Sequence, residues 1–279
     1  SQPLLKGFGI NINKSSIYIA INNKDISVLS LKLQLIKTLS DVQNNYWDLF
    51  FAQENLKVQQ LAFKQAQDLL FINQRFKEEG KATISDVLQA QSAVASREAD
   101  VISAIDLIKS SEEKLKRITN IIQDENKWEL PIELIDAPSF DEVTVNLQES
   151  IDVALKNRPE YLQAQLALQN SDISLNLAKN QRLPTLDLDG TFSLNGFGKS
   201  NDSLSQVGKA EYDSWTMALA LKIPLGGRVS KANEIKSLLE KEQKSLALKD
   251  IEKQIIAEVR NSTRQISANR KRTEATEQA

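Results

Sequence analysis

Two neighbouring segments of about ten residues alternate apolar and polar side chains, and they lie between stretches with long helical patterns. The first segment covers residues 184–195 and the second covers residues 214–224. Period two places successive side chains on opposite faces of a β-strand. About ten residues is also the length with which a tilted strand crosses a lipid bilayer. The two segments therefore predict an antiparallel hairpin with one apolar face and one polar face.

The first long helix is predicted over residues 15–79. It carries an apolar residue at every seventh position: Val28, Leu35, Val42, Leu49, Leu56, Phe63 and Leu70. A strict seven-residue repeat implies a left-handed supercoil against neighbouring helices. At 1.5 Å per residue the helix would be about 95 Å long. A turn at Gly80 and a capping box formed by Thr83 and Asp86 predict a second helix over residues 83–120, antiparallel to the first. It carries its own seven-residue repeat at Val87, Val94, Val101, Ile108 and Leu115.

The rest of the chain reads as shorter elements. Residues 121–145, which include Phe140, predict a compact irregular connection. Asn146 and Glu149 then predict a capping box at the start of a short helix that ends near residue 157. Pro159 suits the first turn of a helix that runs to about residue 182. After the strand hairpin, a last helix is predicted from about residue 228 onward.

An internal repeat relates the two ends of the chain. Residues 2–4, followed by glycines and a long helix, parallel residues 223–225, which are followed in the same way. Residues 39–44 parallel residues 256–261. The second copy is about four residues shorter between these anchors, which is about one helical turn, so the same helix face points inward.

Composition excludes several classes of function. The chain has 279 residues, with 35 basic and 37 acidic side chains and a formal net charge of −2, so no basic excess favours nucleic acid. It has no cysteine and no histidine, which removes disulfides, thiolate chemistry and the commonest base and metal ligand. No run of about 18 apolar residues predicts a transmembrane helix. We expect the chain to be a fragment from which a targeting segment is missing.

Short motifs stand in a fixed order along nearly the whole chain. They are QPLLKGFG at 2–9, RF at 75–76, Gly80, SDVLQAQ at 85–91, NRPE at 157–160, LPTL at 183–186 and PLGGR at 224–228. In their order and spacing they resemble the TolC-like outer-membrane efflux proteins, also called outer membrane factors.

The resemblance implies a mainly α fold with a β-hairpin, in which a long helical hairpin belongs to an α-barrel and the strands belong to a transmembrane β-barrel. Compared with the family plan, the chain is incomplete. Its expected segments are 1–14, the end of a strand and its turn; 15–120, the helical hairpin; 121–158, an equatorial connection; 159–183, a helix leading to the barrel; 184–224, the membrane hairpin; and 225–279, the long helix of the second repeat.

The resemblance also implies a homotrimer in the outer membrane of a Gram-negative cell, with a periplasmic extension. The implied partners are a periplasmic adaptor (membrane fusion protein), an inner-membrane pump and outer-membrane lipid; no nucleic acid, cofactor or metal is expected. The turn that resembles the family's adaptor-docking tip comprises Gly80, Lys81, Ala82, Thr83, Ile84, Ser85 and Asp86. The alternative is a well-capped helix–helix turn without a partner.

Each face of the strand hairpin has an expected environment. The apolar face should contact lipid through Leu186, Leu188, Phe192, Trp215, Leu219 and Leu221. The polar face should line the barrel lumen through Thr185, Asp187, Asp189, Thr191 and Lys222. Asp187 and Asp189 could instead hold a cation, although oxygen ligands without a fixed cage bind weakly. Tyr212, Phe192 and Trp215 predict an interfacial aromatic girdle, or else ordinary strand packing.

Two functions fit these patterns. The first is a passive exit duct across the outer membrane, for which a pump and an adaptor supply energy and select the cargo. The second is a coiled-coil scaffold or tether without a channel, which explains the heptads but not the alternating strands. No arrangement of nucleophile and base supports an enzyme.

Overall fold

The computed structural model describes residues 1–121, 128–136, 138, 145–195, 207 and 212–277. The elements in chain order are β1 (Gln2–Pro3), α1 (Ile10–Asn13), α2 (Ser15–Glu78), α3 (Ile84–Thr119), α4 (Leu147–Asn157), α5 (Pro159–Gln181), β2 (Thr185–Asn195), β3 (Tyr212–Lys222) and α6 (Arg228–Glu277). The chain divides into two compact units: residues 1–33 with 143–279, called the strand unit, and residues 34–142, called the hairpin unit. Among the described residues, no helix is long and apolar enough to cross a membrane.

The hairpin unit is built from α3 and the greater part of α2. Leu49 and Ala52 on α2 are fully buried, at 0 % exposure. The heptad positions from Val42 to Leu70 are all at least partly covered, as are those of α3 from Val87 to Leu115. Residues 55 and 59 of α2 line one groove with residues 97–107 of α3, as an antiparallel pair requires. The two helices therefore pack through the faces that their heptads predict.

A buried lysine holds the connection that follows α3. Lys116 is 5 % exposed, and its Nζ donates to the carbonyls of Trp128 and Leu130 at 2.6 Å each. Glu112, one turn earlier, accepts from the amide of Ile132 at 3.2 Å. A buried ammonium needs such partners because desolvation of an unpaired charge is costly. These contacts fix the described part of the predicted irregular connection, whereas Phe140 lies outside the described residues.

The helices of the strand unit pack around α5. Both α4 and α5 contact α6, and the side chains at the centre of this packing are Ile151, Leu175, Ala178 and Ile255. Asn146 caps α4, since its side chain accepts from the amides of Gln148 and Glu149, which is one half of the predicted capping box. Pro159 occupies the first turn of α5. α5 is the helix that leads directly into β2.

The three strands form an antiparallel sheet in the order β1-β2-β3. Thr185 lies opposite Lys222 and Asn195 opposite Tyr212, and β1 places Gln2 opposite Leu188. The predicted hairpin is confirmed, with β3 beginning and ending two residues earlier than the segment 214–224 that the alternation indicated. In the described part of the chain, no strand pairs with the outer edge of β3. The predicted hairpin loop lies almost entirely outside the described residues.

Candidate functional site

The turn between α2 and α3 closes with a Schellman motif. The amide of Lys81 donates to the carbonyl of Phe76 at 2.7 Å, and the amide of Gly80 donates to the carbonyl of Lys77 at 3.0 Å. Gly80 takes a left-handed conformation with φ of 67°. These bonds satisfy carbonyls that the end of α2 would otherwise leave without partners.

The start of α3 carries the predicted capping box. The Thr83 amide and hydroxyl both donate to Asp86 Oδ2, at 2.8 and 2.7 Å, and the Asp86 amide donates to Thr83 Oγ1 at 3.2 Å. The hydrogen bond from the Thr83 amide, followed by that from its hydroxyl, lowers the pKa of Asp86. Asp86 is therefore ionised in neutral solution and stabilises the positive end of the α3 dipole.

The hairpin tip presents apolar side chains to solvent. Ile84 is 64 % exposed, Leu88 on the next turn of α3 is 60 % exposed, and Phe76 is also exposed. Lys81 forms an ion pair with Glu79 at 2.7 Å. The seven residues predicted for the tip thus lie together in the turn and in the first turn of α3. Their backbone is held by hydrogen bonds within the tip, and Ile84 is exposed.

The apolar face of the strand hairpin is continuous across β2 and β3. Leu186 lies opposite Leu221, Leu188 opposite Leu219, and Phe192 opposite Trp215. All of these except Leu186 are exposed, and Trp215 is the most exposed, at 72 %. The observed register places the apolar side chains of both strands on the same face. A slip of one residue would move the apolar side chains of one strand to the other face.

The polar face carries the other predicted set. Asp187 and Asp189 lie opposite Ala220 and Ala218, Thr191 lies opposite Thr216, and Thr185 lies opposite Lys222. The described residues contain no group of three or more His, Cys, Asp or Glu side chains that could hold a metal ion.

Sequence reasoning missed two asparagines that hold the exit from β1. The Gly7 amide donates to Asn180 Oδ1 at 2.7 Å, and Asn13 Nδ2 donates to the carbonyls of Gly7 and Gly9. Asn180 is 173 residues from Gly7 along the chain, so no local pattern links them. Asn13 lies in the short helix α1, which was not predicted; two glycines followed by an asparagine were the only local signal.

Comparison with known proteins matches most of the chain to a protein family. The family model described as outer membrane efflux protein matches residues 4–120 and 150–279. The outer membrane protein TolC of Vibrio cholerae is 28 % identical over 187 residues, which are 66 % of this chain and 41 % of that protein.

Solved structures share the fold. The outer membrane protein VceC of Vibrio cholerae matches with a TM-score of 0.73 at 17 % identity, covering 98 % of this chain and 63 % of that one. A membrane protein from Pseudomonas aeruginosa matches with a TM-score of 0.69 at 20 % identity, covering 98 % and 60 %. The chain thus spans less than two thirds of each of these relatives. It belongs to the outer membrane efflux protein family, whose members are outer membrane channel proteins and not enzymes.

Proposed function

We propose that the full protein is the outer-membrane exit duct of a tripartite efflux or type I secretion system. It is a passive trimeric channel that docks to a periplasmic adaptor, while an inner-membrane pump supplies the energy. The two-faced strand hairpin carries this proposal. Its exposed apolar side chains lie on one face and its carboxylates and hydroxyls on the other.

Lipid on one side and water on the other is the environment that suits such a hairpin. Unpaired backbone groups are not tolerated in a bilayer, so the strands must close into a barrel. The outer edge of β3 then pairs with a strand from elsewhere in the assembly. Asp187, Asp189, Thr191, Thr185 and Lys222 line the water-filled lumen of that barrel.

The tip supports the adaptor-docking part of the proposal. Its hydrogen bonds fix the turn without help from Ile84, which is 64 % exposed and unused within the described turn. An exposed apolar side chain on a rigid turn is a suitable contact for another protein. We therefore assign docking to residues 80–86, with Ile84 as the apolar contact and Asp86 as the residue that holds the turn.

The docking role is tested by cross-linking in cells from a photoreactive residue at position 82, combined with an export assay. We expect position 82 to capture a periplasmic adaptor. Ile84→Glu should abolish export while trimer level and membrane insertion stay normal, and the matched Ile84→Leu should export normally. If position 82 captures no adaptor and Ile84→Glu exports as well as wild type, the turn has no docking role.

Channel activity is tested separately with the purified full-length protein in planar lipid bilayers. A duct gives discrete conductance steps. A coiled-coil tether gives none, and that result would replace the proposed function with the scaffold alternative.

A further inference from the structure

The hairpin unit contains a half-open cavity of about 480 Å³ between α2, α3 and the connection that follows α3. Its lining is mostly apolar. The apolar side chains that line it are Val42 of α2, Leu115 of α3, and Ile121, Leu130, Ile132 and Leu134 after α3. Small-molecule sites in proteins have about this volume, roughly 300–1,000 Å³, and a similarly apolar lining. The cavity, called the connection cavity, is therefore large enough for a small ligand.

Hydrogen bonds from both helices hold the wall that the connection forms. From α2, Gln53 Nε2 donates to the Ile132 carbonyl at 3.4 Å, and the Tyr46 hydroxyl accepts from the Asp136 amide at 3.0 Å. From α3, Lys116 Nζ donates to two carbonyls of the same segment at 2.6 Å each. Because the wall is fixed before anything binds, a ligand would not have to order it.

The buried polar groups that line the cavity already have partners. Lys116 Nζ donates to the two carbonyls and lies 4.0 Å from a carboxylate oxygen of Glu112. The Thr119 hydroxyl donates to the Leu115 carbonyl at 2.7 Å. Among the described residues, no buried side-chain nitrogen or oxygen lacks a hydrogen-bond partner. The cavity therefore offers apolar contact rather than unpaired charge.

This pairing decides which occupant the cavity suits. An anionic ligand would gain little from Lys116, whose ammonium is already paired, and Glu133, an exposed acidic residue of the lining, would repel it. An ordered water needs about two to four polar partners, and a buried peptide segment needs partners for its own backbone groups. An uncharged, largely apolar molecule needs neither.

We propose that the connection cavity binds an uncharged, apolar small molecule of the chemical class of a substituted benzene or a bicyclic aromatic. The ligand contacts α2, α3 and the connection together, and the burial of apolar surface supplies its affinity. The site lies within the hairpin unit, so it does not depend on the proposed channel function.

The test is photolabelling of the full-length protein in outer membranes with an uncharged trifluoromethyl-phenyldiazirine. Labelled peptides are mapped by mass spectrometry, with and without trifluoromethylbenzene, which has the same ring but no photoreactive group. We expect labelling of residues 115–121 or 128–136 that falls about tenfold when the competitor reaches about ten times its Kd. Probe dissolved in lipid labels by partition, so labelling of lipid-exposed surface should not fall in this way.

Two variants locate the label within the protein. Leu134→Trp enlarges a half-buried side chain of the lining and should remove the labelling that the competitor lowers. The matched control is Ile135→Trp, since Ile135 is the next residue, is 94 % exposed and lies outside the lining. This control should be labelled and competed as the wild type is.

Three outcomes overturn the inference. They are no labelling of either segment, labelling that the competitor does not lower, and equal competed labelling in the two tryptophan variants. The first would mean that another part of the full-length protein fills the cavity. The wild-type competition decides the matter even if Leu134→Trp fails to reach the outer membrane. Conductance is measured separately, so failure here leaves the proposed function standing.

Discussion

At the scale of single residues, the hairpin tip depends on the backbone conformation of Gly80 rather than on space around it. A Cβ built at this position would meet no heavy atom within 4 Å. The constraint is instead the φ of 67°, which costs L-residues with a side chain about 1–2 kcal/mol. Asparagine tolerates this conformation better than other non-glycine residues, and β-branched residues tolerate it least.

We therefore predict that Gly80→Val destabilises the turn and that Gly80→Asn does so much less. A local cost of about 1–2 kcal/mol corresponds to roughly a 5- to 30-fold faster exchange of the Lys81 amide, whose bond to Phe76 closes the motif. Hydrogen exchange read by mass spectrometry on tip peptides measures this. Equal exchange in the two variants would show that the left-handed conformation is not what the position requires.

At the scale of elements, charges of alternating sign fix the register of α5 against α6. Arg158 at the start of α5 bonds to Glu258, Asp172 bonds to Lys241, and Arg182 bonds to Glu234. The signs on α5 run positive, negative, positive, so a shifted pairing would lose matches. Each pair is partly exposed, so the contribution of each to stability is at most about 1 kcal/mol.

The Arg158–Glu258 pair should contribute measurably and only above acidic pH. Hydrogen bonding from Arg158, followed by that from Gln254, lowers the pKa of Glu258. A lowered folded-state pKa means that the stabilisation is fully present above the ordinary glutamate pKa and is lost as the pH falls through the lowered value. A double-mutant cycle with Arg158→Met and Glu258→Gln should give up to about 1 kcal/mol at neutral pH and near zero in acid.

The exposed pair Lys57–Glu54 is the control for that cycle, since its side chains are 70 % and 48 % exposed and its coupling should be close to zero. Thermal unfolding at several pH values provides the measurement. Coupling at Arg158–Glu258 that is no larger than at the control pair, or that does not change with pH, would contradict the role assigned to it.

The sequence predicted those parts of the fold that local periodicity encodes. Alternation located β2 and β3 and their faces, and the heptads located α2 and α3. The positions Val28 and Leu35 complete the α2 heptad but are 57 % and 60 % exposed. A heptad predicts which helix face is apolar but not which neighbouring element covers it. The heptad therefore could not separate these exposed positions from the buried Leu49. Contacts such as Asn180 with Gly7 depend on packing across the chain and leave no local pattern.

At the tip too, the sequence predicted the local features. The capping box could be predicted because Thr83 and Asp86 are three residues apart. The exposure of Ile84 could be predicted from its place in the first turn of α3. The Schellman bonds to Lys77 and Phe76 could be anticipated only in part, from the position of Gly80. In the proposed function the partner of the tip is defined by the surface of another protein, so no pattern in this sequence identifies it.

At the scale of the whole molecule, the hairpin has two faces with different tolerances. In the proposed assembly Leu188 faces lipid, whereas Asp187, the adjacent residue on the opposite face, faces water. An arginine in the lipid-facing set costs about 2–4 kcal/mol near the middle of the bilayer, and a lumen position avoids this cost.

Leu188→Arg should therefore block assembly of the full-length trimer in the outer membrane, while Asp187→Arg should assemble normally. The two variants introduce the same side chain at nearly the same depth in the bilayer. They differ only in the face of the strand hairpin that carries the arginine. Heat-modifiable migration of outer-membrane fractions in gels reports the trimer. Similar trimer yields from both variants would mean that the faces are assigned wrongly.

Before the proposed assembly forms, the outer edge of β3 is a site at which other strands can pair. β3 has 11 residues, and the backbone donors and acceptors that point to its outer side pair with no described strand. They lie beside exposed Trp215, Met217 and Leu219. Such an edge pairs with any suitable strand, and misassociation competes with correct pairing whenever the copies are apart. In the proposed assembly, the yield of functional protein should therefore fall with overexpression, because a larger pool of unassembled copies favours misassociation.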